Sequence, residues 1–228
     1  MNRKTAILIF AQTAATATQA KAIGDGNTLF DVLNEQTLKT VQQTGLPYFV
    51  SNEYVQEGDS FGSRFVNAFQ SVFDAGFDRV IAVGNDTPHL NTQHILKAAI
   101  VLDNQSLVLG PSLDGGFYLL GLNRSAFDAQ ELLSLPWQSR QLTNALLKCF
   151  SYYSQEDVVL LPQLIDIDSL DDVFLIKKFL FSFSLKRIIK QVILLLTETT
   201  FDIPCHYQGS TGIYHQAIPT NKGSPLAA

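Results

Sequence analysis

The chain has 228 residues, 46% of them hydrophobic and 16% charged, with a formal net charge of -5 at pH 7. That much apolar sequence closes a core without disulfide or metal staples, which excludes disorder as the main state. The acidic balance argues against a dedicated nucleic-acid binder, because neutralising phosphates takes clustered Lys and Arg. Anionic small substrates stay open if a metal supplies the positive charge.

The two cysteines, Cys149 and Cys205, form no CxxC pair and no zinc-type spacing with histidine, which fits a reducing cytosol. A single bridge between them stays open. After Arg3 and Lys4 the apolar run Ala6 to Ala11 is too short for the core of a signal peptide, so the expected location is the cytoplasm. The stretch Val173 to Leu196 is apolar but broken by Lys177, Lys178, Lys186, Arg187 and Lys190, so no membrane span is expected.

In chain order, TAILIF (Thr5 to Phe10) is a continuous apolar run of the kind buried on both faces of a parallel sheet. Gln12 to Asn27 reads as a loop or a weak helix. Thr28 to Thr44 carries Leu29, Val32, Leu33, Leu38 and Val41 at near-helical spacing, closed by Gly45. Leu46 to Ser51 is a second strand, and Phe61 to Ala75 a second helix with Phe65, Ala68, Phe69, Val72 and Phe73 on one face. A third strand at Arg79 to Val83, a helix at Thr92 to Leu102 and a strand start at Ser106 to Leu109 follow. Asp114 to Leu122 is another β-rich run, Gln130 to Leu133 and Ser139 to Cys149 are helical, Val158 to Leu161 is a late strand, and Leu170 to Phe181 a last helix. Helices alternating with short strands imply βαβ crossovers and a doubly wound, three-layer α/β/α domain on a mostly parallel sheet. Beyond it, Leu185, Ile188, Ile189, Val192, Ile193 and Leu196 form an amphipathic stripe, and residues from Thr197 on read as a polar tail. The expected division is a domain over 1–181 and a C-terminal helix and tail over 182–228. The stripe suits packing on its own domain, a homodimer or partner contact, or a membrane surface, although its three flanking charges fall short of firm lipid binding.

Three segments carry chemistry. In Val83-Gly84-Asn85-Asp86-Thr87-Pro88 a carboxylate directly follows a buried strand, where open α/β sheets bind ligands and where a phosphate-bound divalent ion would lie. The alternative is that Asp86 caps the helix near Thr92 or shapes a turn. In Gly110-Pro111-Ser112-Leu113-Asp114-Gly115-Gly116 an acid and two glycines suit close backbone approach to a polar ligand, or simply a glycine-shaped hairpin. In Asp166-Ile167-Asp168-Ser169 alternation points both acids the same way if the segment is extended, with Asp168 or Ser169 as a helix N-cap the other reading. His89 lies near Asp86 and is read as structural or as a metal ligand or base, whereas His94 falls on a helix as a solvated residue. Ser60 and Ser112 show no triad partners.

Together with Gly58-Asp59-Ser60-Phe61-Gly62-Ser63-Arg64-Phe65 and Leu135-Pro136-Trp137, and with Asp171-Asp172 after Leu170, these motifs resemble the bacterial rSAM/selenodomain-associated transferases of the nucleotide-diphospho-sugar transferase (GT-A-like) superfamily, over Thr5 to Phe181. The resemblance implies a nucleotide held near the first strand by Phe10 and Ala11, with Lys21, Arg64, Gly84 and Asn85 also at the nucleotide and its phosphates. Arg64 paired with Asp59 on the surface is the alternative. It implies Asp86 and Asp168 as ligands of a divalent metal (Mg²⁺ or Mn²⁺), Asp86 and Asp114 as catalytic acids, and Gly115, Gly116 and Trp137 on the acceptor or sugar side. The activity implied is transfer from a nucleotide-activated donor, by glycosyl or nucleotidyl transfer. Most members carry a segment ending in Lys-Thr-Arg-Leu after the first strand. Here Ala11 to Gly26 holds Thr13, Thr16 and Thr18 and a single basic residue, Lys21, so a catalytically impaired nucleotide-binding or partner-docking protein on the same fold is the alternative.

Overall fold

The structure is a computed structural model that describes residues 4–21, 23, 27–151, 158–177 and 189–190. Six strands form one sheet: β1 (Thr5–Phe10), β2 (Tyr48–Ser51), β3 (Arg79–Val83), β4 (Leu107–Pro111), β5 (Phe117–Asn123) and β6 (Val158–Leu160), in the order β2-β1-β3-β5-β4-β6. β1 pairs in parallel with β2 and with β3, and β4 in parallel with β6. β5 runs antiparallel between β3 and β4, so the sheet is mixed but mostly parallel. Ile7 sits beside Ile81 and Tyr48 in a strand whose interior residues, Ala6 to Ile9, are buried on both faces.

Among the described residues, α-helices cover the two faces: α1 (Ala14–Ala20), α2 (Asn27–Gln42), α3 (Phe61–Asp74), α4 (Thr92–Val101), α5 (Ala129–Leu133), α6 (Leu142–Ser151) and α7 (Leu170–Lys177). Alternation decides which side chain meets which layer. Ala6 and Leu8 of β1 pack with Phe65, Phe69 and Phe73 of α3 and Leu146 of α6, whereas Ile7 and Ile9 pack with Val41 of α2 and Ile95 and Ala98 of α4. A third cluster joins Ala14 and Ala17 of α1, Phe30 and Leu33 of α2, and Val173 and Ile176 of α7. The fold class is therefore the three-layer α/β/α arrangement that the alternating pattern implies.

α3 starts at Ser60, whose hydroxyl accepts from the Ser63 amide while the Ser63 hydroxyl accepts from the Ser60 amide, both orphan donors being met reciprocally. Phe61, Phe65, Phe69 and Phe73 recur every four residues and stack along one side of the helix, with ring centroids 5.3 to 6.4 Å apart. This aromatic ridge holds α3 against the sheet and sets its N-terminal end beside the carboxyl end of β1, where Phe10 meets Phe61 at 5.5 Å and Phe65 at 5.1 Å.

Several boundaries differ from the sequence reading for local reasons. The second strand starts at Tyr48 because Pro47 lacks an amide for the ladder. Asp114 to Gly116 lies outside the strand, in the hairpin turn between β4 and β5. The helix expected from Ser139 starts at Leu142, since Ser139 is used in a turn closed by the Leu142 amide. Thr13 caps a short α1 where a loop or weak helix was expected. The amphipathic helix over 185–196, its suggested partner contact, the 181/182 boundary, the polar tail, Cys205, His206 and His215 lie outside the described residues, apart from Ile189 and Lys190. Those two are helical, and Ile189 is fully buried in the cluster of α1, α2 and α7. Among the described residues no helix is long and apolar enough to cross a membrane.

Candidate functional site

The chain leaves β1 to form β2 on one side and returns to form β3 on the other, so the winding reverses at the β1/β3 seam. Ligands of open α/β sheets bind in the crevice outside the carboxyl ends of the strands at such a point. A cavity of about 590 Å³ lies there. Phe10, Val83 and Phe117 mark the strand ends on its floor, and the loops after β1, β3, β4 and β6 supply the polar groups.

The loop after β3 is fixed by its backbone and by Asn85. The Gly84 amide donates to the Tyr118 carbonyl at 3.1 Å, and the buried Asn85 side chain donates to the Gln12 carbonyl at 3.0 Å and to Asn34. Asp86 is left to face the cavity, and its carbonyl accepts the Ile167 amide at 2.9 Å, which ties the β3 loop to the segment after β6. Asn91, not Asp86, caps α4. In the 166–168 segment Ile167 is fully buried while Asp166 and Asp168 both line the cavity. Ser169 and Asp172 cap α7 reciprocally: the Asp172 carboxylate accepts from the Ser169 amide at 2.8 Å and the Ser169 hydroxyl accepts from the Asp172 amide. The Asp168 carboxylate is thereby spared from capping.

At the centre of these acids sits Lys21, which follows α1. Its ammonium donates to Asp86 Oδ2 at 2.6 Å, contacts Asp168 Oδ1 at 2.8 Å and donates to the Ile167 carbonyl at 2.6 Å. Burial works against charge on Lys21, but Asp86 and then Asp168 outweigh it and raise its pKa, so the ammonium stays charged. Among the described residues Asp166 has no such cationic partner. Burial first, then repulsion from Asp86, pushes its carboxyl up to about 8, against the Thr87 hydroxyl that donates to its charged form. Burial also pushes the Asp168 carboxyl up; Lys21 opposes that and Asp86 adds to it.

The β4–β5 turn brings in Asp114. Its Oδ1 accepts from the Ser112 hydroxyl at 2.7 Å and the Gly116 amide at 2.9 Å, so the carboxylate both holds the hairpin and lines the cavity. Gly115, at φ +96°, packs on the Arg140 backbone, where a Cβ would come within 2.2 Å of the Arg140 carbonyl oxygen. It does not line the cavity, unlike Gly116. The segment that Gly115 supports carries Gln138 in the left-handed region at φ 57° and presents Trp137, Gln138, Ser139 and Arg140 to the cavity. Trp137 packs on Phe61 and Phe65, its Nε1 donates to the Leu132 carbonyl at 2.8 Å, and its ring lies so close to Gly62 that a Cβ there would sit 2.4 Å from it. Arg64, on the first turn of α3, and Arg140 both line the cavity, and among the described residues neither guanidinium has an ion-pair partner; Arg64 is not paired with Asp59.

Beside β1, the N-terminus of α1 is occupied by the protein's own carboxylate. Glu53 accepts from the Thr13 amide at 2.9 Å, from the Thr16 hydroxyl at 2.6 Å and from the Thr13 hydroxyl. Burial opposes its charge, yet the Thr13 and Thr16 hydrogen bonds prevail and hold its carboxyl down at about 2.

The cavity thus gathers Phe10, Ala11, Lys21, Arg64, Gly84, Asn85, Asp86, Asp114, Gly116, Trp137 and Asp168, while Gly115 serves the wall from behind. His89 is outside the lining, and His94, read as solvated, is half-buried against Tyr118 and takes part in the α4 cap. Asp166, paired with Asp168 in the sequence by its two-residue spacing, lines the cavity without having been given a role of its own, whereas Arg140, Gln56 and the Glu53 plug carried no signal in the sequence.

Hard divalent ions take oxygen ligands, usually one or two carboxylates completed by water and phosphate. Asp86 Oδ2, Asp168 Oδ1 and the Ile167 carbonyl converge on one point and are the right kind of donor, but the Lys21 ammonium holds that point. Among the described residues no cluster of three or more His, Cys, Asp or Glu side chains is placed to hold a metal. A divalent ion therefore fits Asp86 and Asp168 only with Lys21 drawn aside.

No curated protein matches the chain. Among solved structures, a candidate nucleotide-diphospho-sugar transferase from Desulfovibrio desulfuricans G20 is 20% identical with a TM-score of 0.73, over 85% of this chain and 98% of its own. At that identity the likeness establishes the fold. A cytidylyltransferase from Leptospira borgpetersenii serovar Hardjo-bovis is 15% identical with a TM-score of 0.45, over 94% of this chain and 100% of its own. In sequence, residues 32–139 match the family described as "Uncharacterized protein conserved in bacteria (DUF2064)", a span that includes Arg64, Asp86, Asp114 and Trp137 of the cavity.

Proposed function

We propose that the chain is a metal-dependent transferase that takes a nucleotide-activated donor, either moving a sugar from it or forming it by nucleotidyl transfer, in the manner of the rSAM/selenodomain-associated transferases it resembles. The observation that carries this reading is the composition of one cavity at the β1/β3 seam. Asp86, Asp166, Asp168 and Lys21 enter it from the side of α1, α2 and α7, and Arg64, Arg140, Phe61 and Trp137 from the side of α3. Such a site offers flat aromatic surface, two guanidinium groups with no ion-pair partner among the described residues, and a carboxylate pair for a cation. The fold shared with the Desulfovibrio protein supports a ligand of the nucleotide-diphospho-sugar kind.

In this reading Phe10 and Ala11 border the base and ribose, and Asp86 and Asp168 hold Mg²⁺ or Mn²⁺. The ion, when bound, neutralises charge that develops on the diphosphate leaving group. Arg64 and Arg140 place positive charge beside the phosphates, and Lys21 adds its own once drawn off the acids, where one cationic group is commonly worth about 3 kcal/mol of transition-state stabilisation. Asp114 keeps Oδ2 without a hydrogen-bond partner among the described residues, so it can accept the proton of an attacking hydroxyl. Calorimetric titration with a panel of nucleoside triphosphates and nucleotide sugars, with and without Mn²⁺, tests the reading. Metal-enhanced binding of at least one is expected, and no binding by any sinks it.

A second reading keeps the ligand and drops the turnover. Glu53 favours it, because the α1 N-terminus beside β1 is filled by a carboxylate instead of being open to phosphate, and Lys21 is the single basic residue of that segment. Product formation from a donor that binds decides between the two.

A further inference from the structure

We infer that Lys21 is a displaceable counter-cation: it neutralises the Asp86–Asp168 pair in the ligand-free protein, competes with a divalent ion for their oxygens, and moves onto phosphate oxygens when metal and diphosphate bind together. The last clause rests on the function proposed above; the competition does not.

An ammonium has three donors and no acceptor. Here all three are used, on Asp86 Oδ2, Asp168 Oδ1 and the Ile167 carbonyl, at 2.6 to 2.8 Å. The side chain is 14% exposed, and its charged end lies 5.7 Å from the Phe30 ring centroid, so it is a seated group and not a surface lysine. Magnesium-like ions demand carboxylate oxygens at about 2.0–2.1 Å. Those oxygens are the ones Lys21 holds, and two cations cannot share them without strong repulsion. Asp86, Asp166 and Asp168 line one wall of the cavity, and Lys21 is the cation seated on two of them, Asp86 and Asp168. The same lysine is the only basic residue between Ala11 and Gly26, the segment beside the carboxyl end of β1. A diphosphate entering the cavity therefore offers Lys21 new acceptors at the moment the metal takes its old ones.

The inference predicts effects of opposite sign in Lys21→Met. Mn²⁺ binding without any other ligand, followed by electron paramagnetic resonance, tightens at least about tenfold relative to wild type, because the competing charge is gone. Pyrophosphate binding at saturating Mn²⁺, followed by the fluorescence of the single tryptophan, Trp137, which lines the cavity, weakens at least about tenfold. Unchanged or weaker Mn²⁺ binding overturns the competition and leaves Lys21 a structural tether. Tighter Mn²⁺ with undiminished pyrophosphate overturns the transfer to phosphate. Lys21→Gln, run alongside with thermal melts, gives the same comparison should the Met variant not fold. Failure of the nucleotide panel with Mn²⁺ binding still tightened in Lys21→Met removes the proposed function and spares the competition.

Discussion

Lys21 and Asp86, 65 positions apart in sequence, are joined by a 2.6 Å ion pair at the carboxyl end of the β1/β3 seam. The pair is only partly exposed, at 14% and 27% of the two side chains. Removing one member leaves the other facing an unbalanced field, and Asp86→Asn is expected to lower stability by about 1–3 kcal/mol, less than a fully buried pair because water still reaches Asp86. Urea denaturation at pH 7 measures it. A midpoint equal to wild type would show that the pair carries no net weight.

Asp166 makes stability depend on pH in an unusual direction for a carboxylate. Its folded pKa, pushed up to about 8, exceeds the ordinary carboxylate range, so between that range and pH 8 the folded chain binds a proton that the unfolded chain does not. Stability on this account falls as pH rises through the interval and the loss is complete above about 8. Asp166→Asn removes the titration and is expected to stabilise the protein by about 1–3 kcal/mol at pH 9 while changing little at pH 4. Parallel melts at the two pH values check it; equal gains at both would contradict the assignment.

Glu53 works the other way. Its folded pKa, about 2, lies below the ordinary 4.5, so its contribution is present above pH 4.5 and lost as the pH falls through 2. Glu53→Gln keeps the shape and removes the charge. If the carboxylate plugs the α1 terminus, the variant binds pyrophosphate more tightly than wild type by a few fold; unchanged binding means that no phosphate reaches α1.

Gly62 is set by the Trp137 ring, which leaves no room for a Cβ. Gly62→Ala is expected to cost about 1–3 kcal/mol through overpacking and to red-shift the Trp137 emission as the indole is pushed toward the cavity. An unshifted spectrum at wild-type stability would contradict the packing.

Much of this was legible in the sequence, and what was not has physical causes. TAILIF and RVIAV are short runs whose interiors are apolar on both faces, so strand identity follows from them, and the three-layer fold follows from their alternation with helices. Asp86 and Asp168 were locatable because each follows a strand or precedes a helix at a loop, and loops at strand ends have few destinations. The Lys21 pairing was not legible, since an ion pair across 65 positions leaves no local period. Arg140 sits in a polar run whose shape depends on the left-handed Gln138 and on the close approach to Gly115, neither of which composition shows. Glu53 follows β2 with no motif around it, and only the tertiary approach to Thr13 gives it a role.

The proposed function requires one cavity to hold a nucleotide diphosphate over a metal bound by Asp86 and Asp168. A crystal grown with Mn²⁺ and the tightest ligand of the panel tests it most directly, through the anomalous signal of manganese. A manganese peak between Asp86 and Asp168 is expected, with the Lys21 ammonium turned to the phosphates and the base beside Phe10. Ligand bound elsewhere, or a cavity filled with Lys21 still on Asp86 and no manganese, would contradict it.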